Sequence, residues 1–191
     1  IGLLPLGTLN HFSKDLGLPQ DVEGAVRVIA DGWSRAVDIA EVNGRVFINN
    51  SSIGIYPYMV VDRDRRQHAD GKGKWPAMAL AFARMLWRFP RRRLRLRAHG
   101  GSRPYRTPCL FIGNNAYGIE LMTLGRRDRL DGGRLWLFLA KQRTRLGLVG
   151  FALRAAVGRI DAVRDFEALA SPTVEIEMRA SRVHVATDGE V

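Results

Sequence analysis

Residues 4–17 read Leu4-Pro5-Leu6-Gly7-Thr8-Leu9-Asn10-His11-Phe12-Ser13-Lys14-Asp15-Leu16-Gly17, and their order decides how the remainder is understood. The apolar run Ile1–Pro5 predicts a buried strand and Gly7-Thr8 a turn. From there a short helix is expected, which Asn10 can cap, Gly17 stops and Pro19 keeps from continuing. A strand, a turn and a helix start in succession present unpaired backbone N–H groups and a positive dipole end to an anion. Gly7 would let the backbone approach a phosphate closely, and Thr8 would add a hydroxyl donor. On physical grounds alone, however, this is ordinary architecture.

Working outward, a second helix is expected at about Val22–Ala30, opened by Asp21 and closed by Gly32. The period then changes to two. Val37, Ile39, Glu41 and Val42 lead into Asn43-Gly44, and Val46 and Ile48 carry the alternation on to Ile55, a hairpin with the signature of a type I′ turn. Residues 63–74 predict a polar, Gly-containing loop, and Trp75–Phe89 a helix ended by Pro90. Arg91–Ala98 alternates Arg with Leu, a half-buried strand with a basic outer side that Gly100-Gly101-Ser102 turns into a strand over Tyr105–Gly113. A strand at Arg134–Ala140 and a helix at Leu146–Val157 follow. Thr173–Met178 and Arg182–Ala186 complete the pattern as a final hairpin.

The chain has 191 residues, enough for one domain, or one domain with part of another, to bury a real core. With 46% hydrophobic and 26% charged residues it has an ordinary globular composition. Its formal net charge of +11 calls for an anionic partner, whether nucleic acid, lipid headgroups or nucleotide phosphates, or else reflects a solvated arginine-rich face. The single Cys109 excludes a disulfide framework and suits a reducing compartment. His11, His68, His99 and His184 are scattered without metal-ligand spacing, which disfavours zinc. No stretch approaches the ~20 apolar residues that span a bilayer, and Ile1–Leu6 has neither a basic leader nor a cleavage site. A soluble protein, or one resting on a membrane surface, is expected.

As a string, residues 5–17 resemble the "PxGTxNxFAxxLG" signature of the diacylglycerol-kinase and sphingosine-kinase superfamily, with Ser13 where Ala is usual. Four further segments resemble the family's motifs in the right order. Residues 47–55, Phe47 to Ile55, are similar to the "FxNxxSxGxxA" strand, although Tyr56-Pro57 follows where Asp or Thr is usual. Residues 111–118, from Phe111 through Asn114-Asn115 to Gly118, are similar to "VxNxxxxGGG". Asp128-Arg129-Leu130-Asp131-Gly132-Gly133-Arg134-Leu135 resembles "PxAxxxDGxLxV", and Thr187-Asp188-Gly189-Glu190 resembles the catalytic "xDGE". Alone, the last is nearly uninformative; as the fifth motif in sequence it is specific.

The resemblance implies an ATP- and magnesium-dependent lipid kinase with an α+β, β-rich fold. That fold is a two-layer, β-sandwich-like C-terminal domain of the kind shared by NAD kinases and diacylglycerol kinases, with helical insertions. Residues 1–32 would be a remnant of the α/β nucleotide-binding domain, and 33–191 the β-rich lipid-kinase domain, cut at its end. Gly7, Thr8 and Asn10 would bind the nucleotide. A kinase for an alcohol must orient the hydroxyl, accept its proton and neutralise charge on the transferred phosphoryl group. Glu190 is expected as the proton acceptor and Asp188 as its partner toward magnesium, with the roles exchangeable. Asp128, Asp131 and the Gly133 carbonyl would hold a structural magnesium through oxygen alone, as a hard cation requires; a plain surface turn fits the same residues equally.

The family's Gly-Gly-Asp-Gly-Thr phosphate loop is absent from the chain, and 70–74 lacks the spacing to replace it. The 191 residues are therefore expected to be inactive alone. The acceptor could be diacylglycerol, a sphingoid base or another glycerolipid. Expected partners are ATP, the lipid alcohol, a second copy of the chain as a homodimer, and the inner membrane surface touched peripherally from the cytoplasm by Trp75, Trp87, Arg88 and Arg91 to Arg93. The alternative is a basic non-catalytic domain that binds anionic lipid, or nucleic acid through 91–97 and 126–129, but no nucleic-acid motif supports the latter.

Overall fold

A computed structural model describes residues 1–7, 10–54, 92–117, 127–142, 144–156, 162–180 and 182–190. Thr8, the polar loop at 63–74, the helix expected at Trp75–Phe89 and most of the proposed membrane contact lie outside the described residues. In chain order the elements are α1 (His11–Asp15), α2 (Val22–Ala30), β1 (Ala40–Val42), β2 (Arg45–Phe47), β3 (Asn50–Gly54), β4 (Arg92–Ala98), β5 (Gly101–Thr107) and β6 (Cys109–Asn114). They continue with β7 (Leu135–Ala140), α3 (Arg145–Ala156), α4 (Ala162–Asp165), β8 (Phe166–Ser171), β9 (Glu175–Met178) and β10 (Val185–Thr187).

Local signals set the small elements. Helix α1 ends in a Schellman arrangement: Gly17 N–H donates to the Lys14 carbonyl at 3.0 Å and Leu18 N–H to that of Ser13 at 2.9 Å, with Gly17 at φ 70°. The Asp21 carboxylate caps α2 by accepting the Gly24 N–H at 2.7 Å. Asn43 and Gly44 both take positive φ, the backbone of a type I′ turn, so β1 and β2 pair tightly from Val42↔Arg45 outward.

The strands form three antiparallel sheets, β1-β2, β10-β3-β6-β7-β8 and β5-β4-β9. Alternation on β4 buries Leu94 and Leu96 while Arg93, Arg95 and Arg97 face out. Those leucines pack with Ile53, Leu110, Ile112, Leu137 and Leu139 of the five-stranded sheet and with Ala40 and Phe47 of the hairpin, forming the main core. A second core covers the opposite face of that sheet. There Phe138, Ala140 and Phe166 pack with Phe111, Trp136 and Phe151, the last of these delivered by α3. The expected β-rich sandwich with helical additions is what the chain forms.

Several expected elements differ. No described strand pairs with residues 1–6, which are irregular and largely exposed rather than a buried strand, because a strand needs a hydrogen-bonded neighbour and none of the ten supplies one. Asn10 stands at the N-cap position of α1 but at φ 49°, and its amide donates to the Pro5 carbonyl at 2.9 Å instead of capping. The strand expected through Ile55 breaks at Ile48-Asn49, so β2 and β3 enter different sheets.

The strand expected at 105–113 likewise breaks at Pro108, which has no N–H for a ladder. The Thr107 hydroxyl bridges the break by donating to the carbonyls of Cys109 and Ala140 at 2.7 and 2.9 Å. Strands β9 and β10 are not a hairpin: β9 pairs with β4, and β10 with β3. Alternation identifies strands but not partners, and Ile176 and Met178 find their burial beside the leucines of β4. Strand β8 was not expected, since Phe-Glu-Ala-Leu-Ala-Ser carries no strict alternation; its pairing with β7 makes it a strand.

Candidate active site

The break after β2 organises the site. Ile48, Asn49 and Asn50 turn their N–H groups toward β10, and the Asp188 carboxylate accepts all three at 2.8, 2.8 and 3.0 Å. Asp188 is held in place by its own N–H, which donates to the Asn50 carbonyl at 2.9 Å. Asp188 and Gly189 have φ of 49° and 87°, so Thr187–Glu190 is a tight turn closed by reciprocal backbone bonds between Thr187 and Glu190. Glu190 projects from it with its side chain 81% exposed, 3.2 Å from the Arg45 guanidinium. The two acids of the motif are therefore unlike. Asp188 has its oxygens engaged by amides, whereas Glu190 offers an open carboxylate beside one cation.

The carbonyl side of the same tripeptide is bound by a residue that the sequence did not single out. Arg127 has a fully buried side chain; its Nη1 donates to the Ile48 carbonyl at 2.8 Å and its Nη2 to Asn49 Oδ1 at 2.8 Å. Nη1 also reaches the Asn114 carbonyl at 3.1 Å, and Nε meets Asp15 Oδ2 at 2.7 Å. Phe12 and Tyr117 flank the guanidinium, with ring centroids 5.8 and 5.3 Å from its carbon. Asp15 and Phe12 lie on α1, immediately after the turn of Gly7 and Asn10. Only the nucleic-acid alternative gave Arg127 a role, as one of the basic residues 126–129 able to touch phosphates, and burial removes it from that role. No spacing rule in the sequence distinguishes it from its neighbours.

Tyr117 completes the enclosure by donating its hydroxyl to the Asn49 carbonyl at 2.9 Å. Burial pushes its phenol up to about 12, partly offset by the nearby Arg127. His11, at the start of α1, is lowered from its ordinary value by burial and then by Lys14. Its Nε2 is buried without a partner among the described residues, as are the hydroxyls of Ser51 and Ser52 on β3. A Cβ on Gly7 would stand 3.0 Å from Asn10 Oδ1, so little room is left beside Gly7; Thr8 lies outside the described residues.

The loop of Asp128, Asp131 and Gly133 is braced by Asp38, which was also missed. Asp38 Oδ2 accepts the Gly133 N–H at 2.6 Å and the Asn115 amide at 3.0 Å, while Asp38 N–H donates to the Leu130 carbonyl at 2.7 Å. Asn115 Oδ1 in turn accepts the Gly132 N–H at 2.9 Å. Asp131 faces Arg129 at 3.2 Å, and both side chains are exposed. Among the described residues no three His, Cys, Asp or Glu side chains converge. Asp128, Asp131 and the Gly133 carbonyl are oxygen donors, the ligand type a hard cation takes. A cleft of about 370 Å³ beside the loop is lined by Asp38, Glu41, Asn114, Gly133 and Arg134, among others.

Residues 1–42 match the family described as the diacylglycerol kinase catalytic domain. A diacylglycerol kinase of Staphylococcus epidermidis is 46% identical over 54 residues, 28% of this chain and 17% of that protein. One from Staphylococcus aureus is 44% identical over the same length, with equal coverage. Among solved structures, a Bacillus anthracis protein assigned as a diacylglycerol kinase superposes over 97% of this chain and 60% of its own, with a TM-score of 0.64 and 21% identity. A second Bacillus anthracis diacylglycerol kinase structure covers 95% of this chain and 57% of its own, with a TM-score of 0.58 and 18% identity. The chain thus spans about three fifths of the length of these solved relatives. Over its first 42 residues the chain is similar to the diacylglycerol kinase catalytic domain, and its fold is similar to that of these Bacillus anthracis structures.

Proposed function

We propose that this chain is the acceptor-side portion of a kinase that moves the terminal phosphoryl group of ATP to a lipid hydroxyl, with diacylglycerol as the first candidate acceptor. Residues 1–32 would complete a nucleotide-binding domain and 33–191 form the lipid-kinase domain. One observation carries this reading: segments far apart in sequence bind one tripeptide, 48–50, from opposite sides. Asp188 holds its N–H groups, and Arg127 ties its carbonyl side to α1 behind the Gly7 turn.

Within that frame Glu190 takes the proton of the lipid hydroxyl as the new P–O bond forms, because its carboxylate is open. Arg45 keeps Glu190 oriented. Asp188 sets the turn in place. Gly7, Thr8 and Asn10 would contact the nucleotide phosphates. Magnesium bound with ATP supplies charge neutralisation for the transferred group. A further magnesium on Asp128, Asp131 and the Gly133 carbonyl would neutralise that loop's carboxylates and stiffen it.

The decisive assay follows labelled ATP into a panel of glycerolipids and sphingoid bases, using the natural protein that carries this chain beside its Glu190→Gln variant. Loss of at least a hundredfold in kcat is expected of the variant, in the range that general-base catalysis supplies. Equal turnover by both proteins defeats the assignment of the base. For the loop, magnesium should raise the melting temperature of the wild-type chain and not that of Asp131→Asn; equal rises in both would remove the cation from that position.

A basic binding module is the second reading, favoured by the outer face of β4 and β5. Exposed Arg93 and Arg106 stand directly opposite one another with Arg95 beside them, an arrangement that a bound anion would relieve. Retention on DNA and on anionic vesicles across a salt gradient tests it.

A further inference from the structure

Asp15 and Asp188 are distant in sequence and share no hydrogen bond, yet both act on residues 48–50. Every backbone hydrogen-bonding group of Ile48 and Asn49 is engaged. Their N–H groups go to Asp188. The Ile48 carbonyl accepts from Arg127 and from Asn114 Nδ2 at 2.9 Å, and the Asn49 carbonyl accepts from Tyr117 and from Asn114 N–H at 2.9 Å. Arg127 is the one member of this set that also reaches α1, with both its main-chain N–H and its Nε on the two Asp15 oxygens at 3.2 and 2.7 Å.

A buried guanidinium is an expensive way to fill space. Apolar residues of the same volume often give equal or greater stability, so a buried pair is better understood through the geometry it enforces. Here the enforced geometry is particular. The fork of the guanidinium fixes the distance between α1 and the strand break, and the strand break fixes Asp188 and hence the direction in which Glu190 leaves the turn.

We infer that Arg127, oriented by Asp15, is a positioning residue that couples α1 to the Asp188–Glu190 turn, so that the two sides of the site are set together. This inference rests on the lipid-kinase function proposed above for its catalytic consequence, but the coupling itself is a property of the chain.

Amide hydrogen exchange in the chain tests the coupling without any activity. The variant is Asp15→Asn, which leaves Arg127 and Asp188 in place and touches none of residues 48–50. Exchange of the Ile48, Asn49 and Asn50 amides should quicken about tenfold, while the Leu137 and Leu139 amides of β7 stay unchanged. Faster exchange confined to Lys14, Leu16 and Gly17 of α1 overturns the inference. If Asp15→Asn also exposes β7, Asp15→Glu replaces it, keeping the charge and shifting its position, under the same two criteria.

In the natural protein, Asp15→Asn should lower kcat about tenfold with the lipid KM within twofold, and Arg127→Lys should retain part of the rate. An unchanged kcat beside quickened exchange at 48–50 would refute the catalytic consequence. Absence of kinase activity in the wild type would instead strike the proposed function and leave the exchange result standing.

Discussion

Replacing Arg127 by Met should be among the most destabilising single changes available in this chain. The two side chains of the Arg127–Asp15 pair are 0% and 6% exposed, and their closest approach is 2.7 Å. Methionine fills much of the volume but donates nothing. The Asp15 carboxylate would be left buried without its cation, and Asn49 Oδ1 and the Asn114 carbonyl would lose a donor, while the Ile48 carbonyl would keep Asn114 Nδ2. Breaking a buried pair from one side costs about 3–5 kcal/mol, a large part of the 5–15 kcal/mol typical of a whole domain. Urea denaturation followed by circular dichroism measures it, as a lower midpoint at an unchanged slope. The double variant Arg127→Met/Asp15→Leu removes both charges and should be at least about 2 kcal/mol more stable than the sum of the single losses predicts. A loss below about 1 kcal/mol for Arg127→Met, or strict additivity in the double variant, would show that the pair is solvated and refute the reasoning.

Other expectations follow from the same geometry. With its phenol pushed up to about 12, Tyr117 contributes stability that is complete below its unfolded value near 10 and lost as pH rises toward 12; Tyr117→Phe should flatten that alkaline loss in pH-dependent denaturation. His11 has a lowered folded value, so its contribution is present above about 6.5 and is lost as pH falls through the folded value. His11→Gln should remove that acid-side slope, and an unchanged slope would assign it to other groups. Gly54 sits at φ 104°, and a Cβ there would collide with the Pro108 carbonyl oxygen. Gly54→Ala should therefore cost about 1–3 kcal/mol from the backbone conformation alone and lower the melting temperature accordingly. Glu190→Gln, by contrast, alters an exposed pair and should leave stability within about 1 kcal/mol.

Much of this molecule is legible in one dimension because its physics is local. The cap at Asp21, the stop at Gly17, the Asn43-Gly44 turn and the alternation of arginine and leucine on β4 each depend on residues a few positions apart, and each stands where the sequence places it. The motif string extended this reach from shape to a family resemblance. Partnership was not legible. Alternation marks β9 and β10 as strands but says nothing of which neighbour buries Ile176 or Val185, and only competition among all the strands for places in the two larger sheets decides it. The unequal character of the two acids in the final turn is of the same kind. Asp188 is engaged because three amides 138 to 140 residues away point at it, and Glu190 is open because none does. Arg127 shows the difference most clearly. In sequence it is one basic residue in a basic stretch, and what separates it from Arg129 is burial against α1. That is a contact across 112 residues, which local propensity cannot encode and which appears only when the folded chain removes water from both charges.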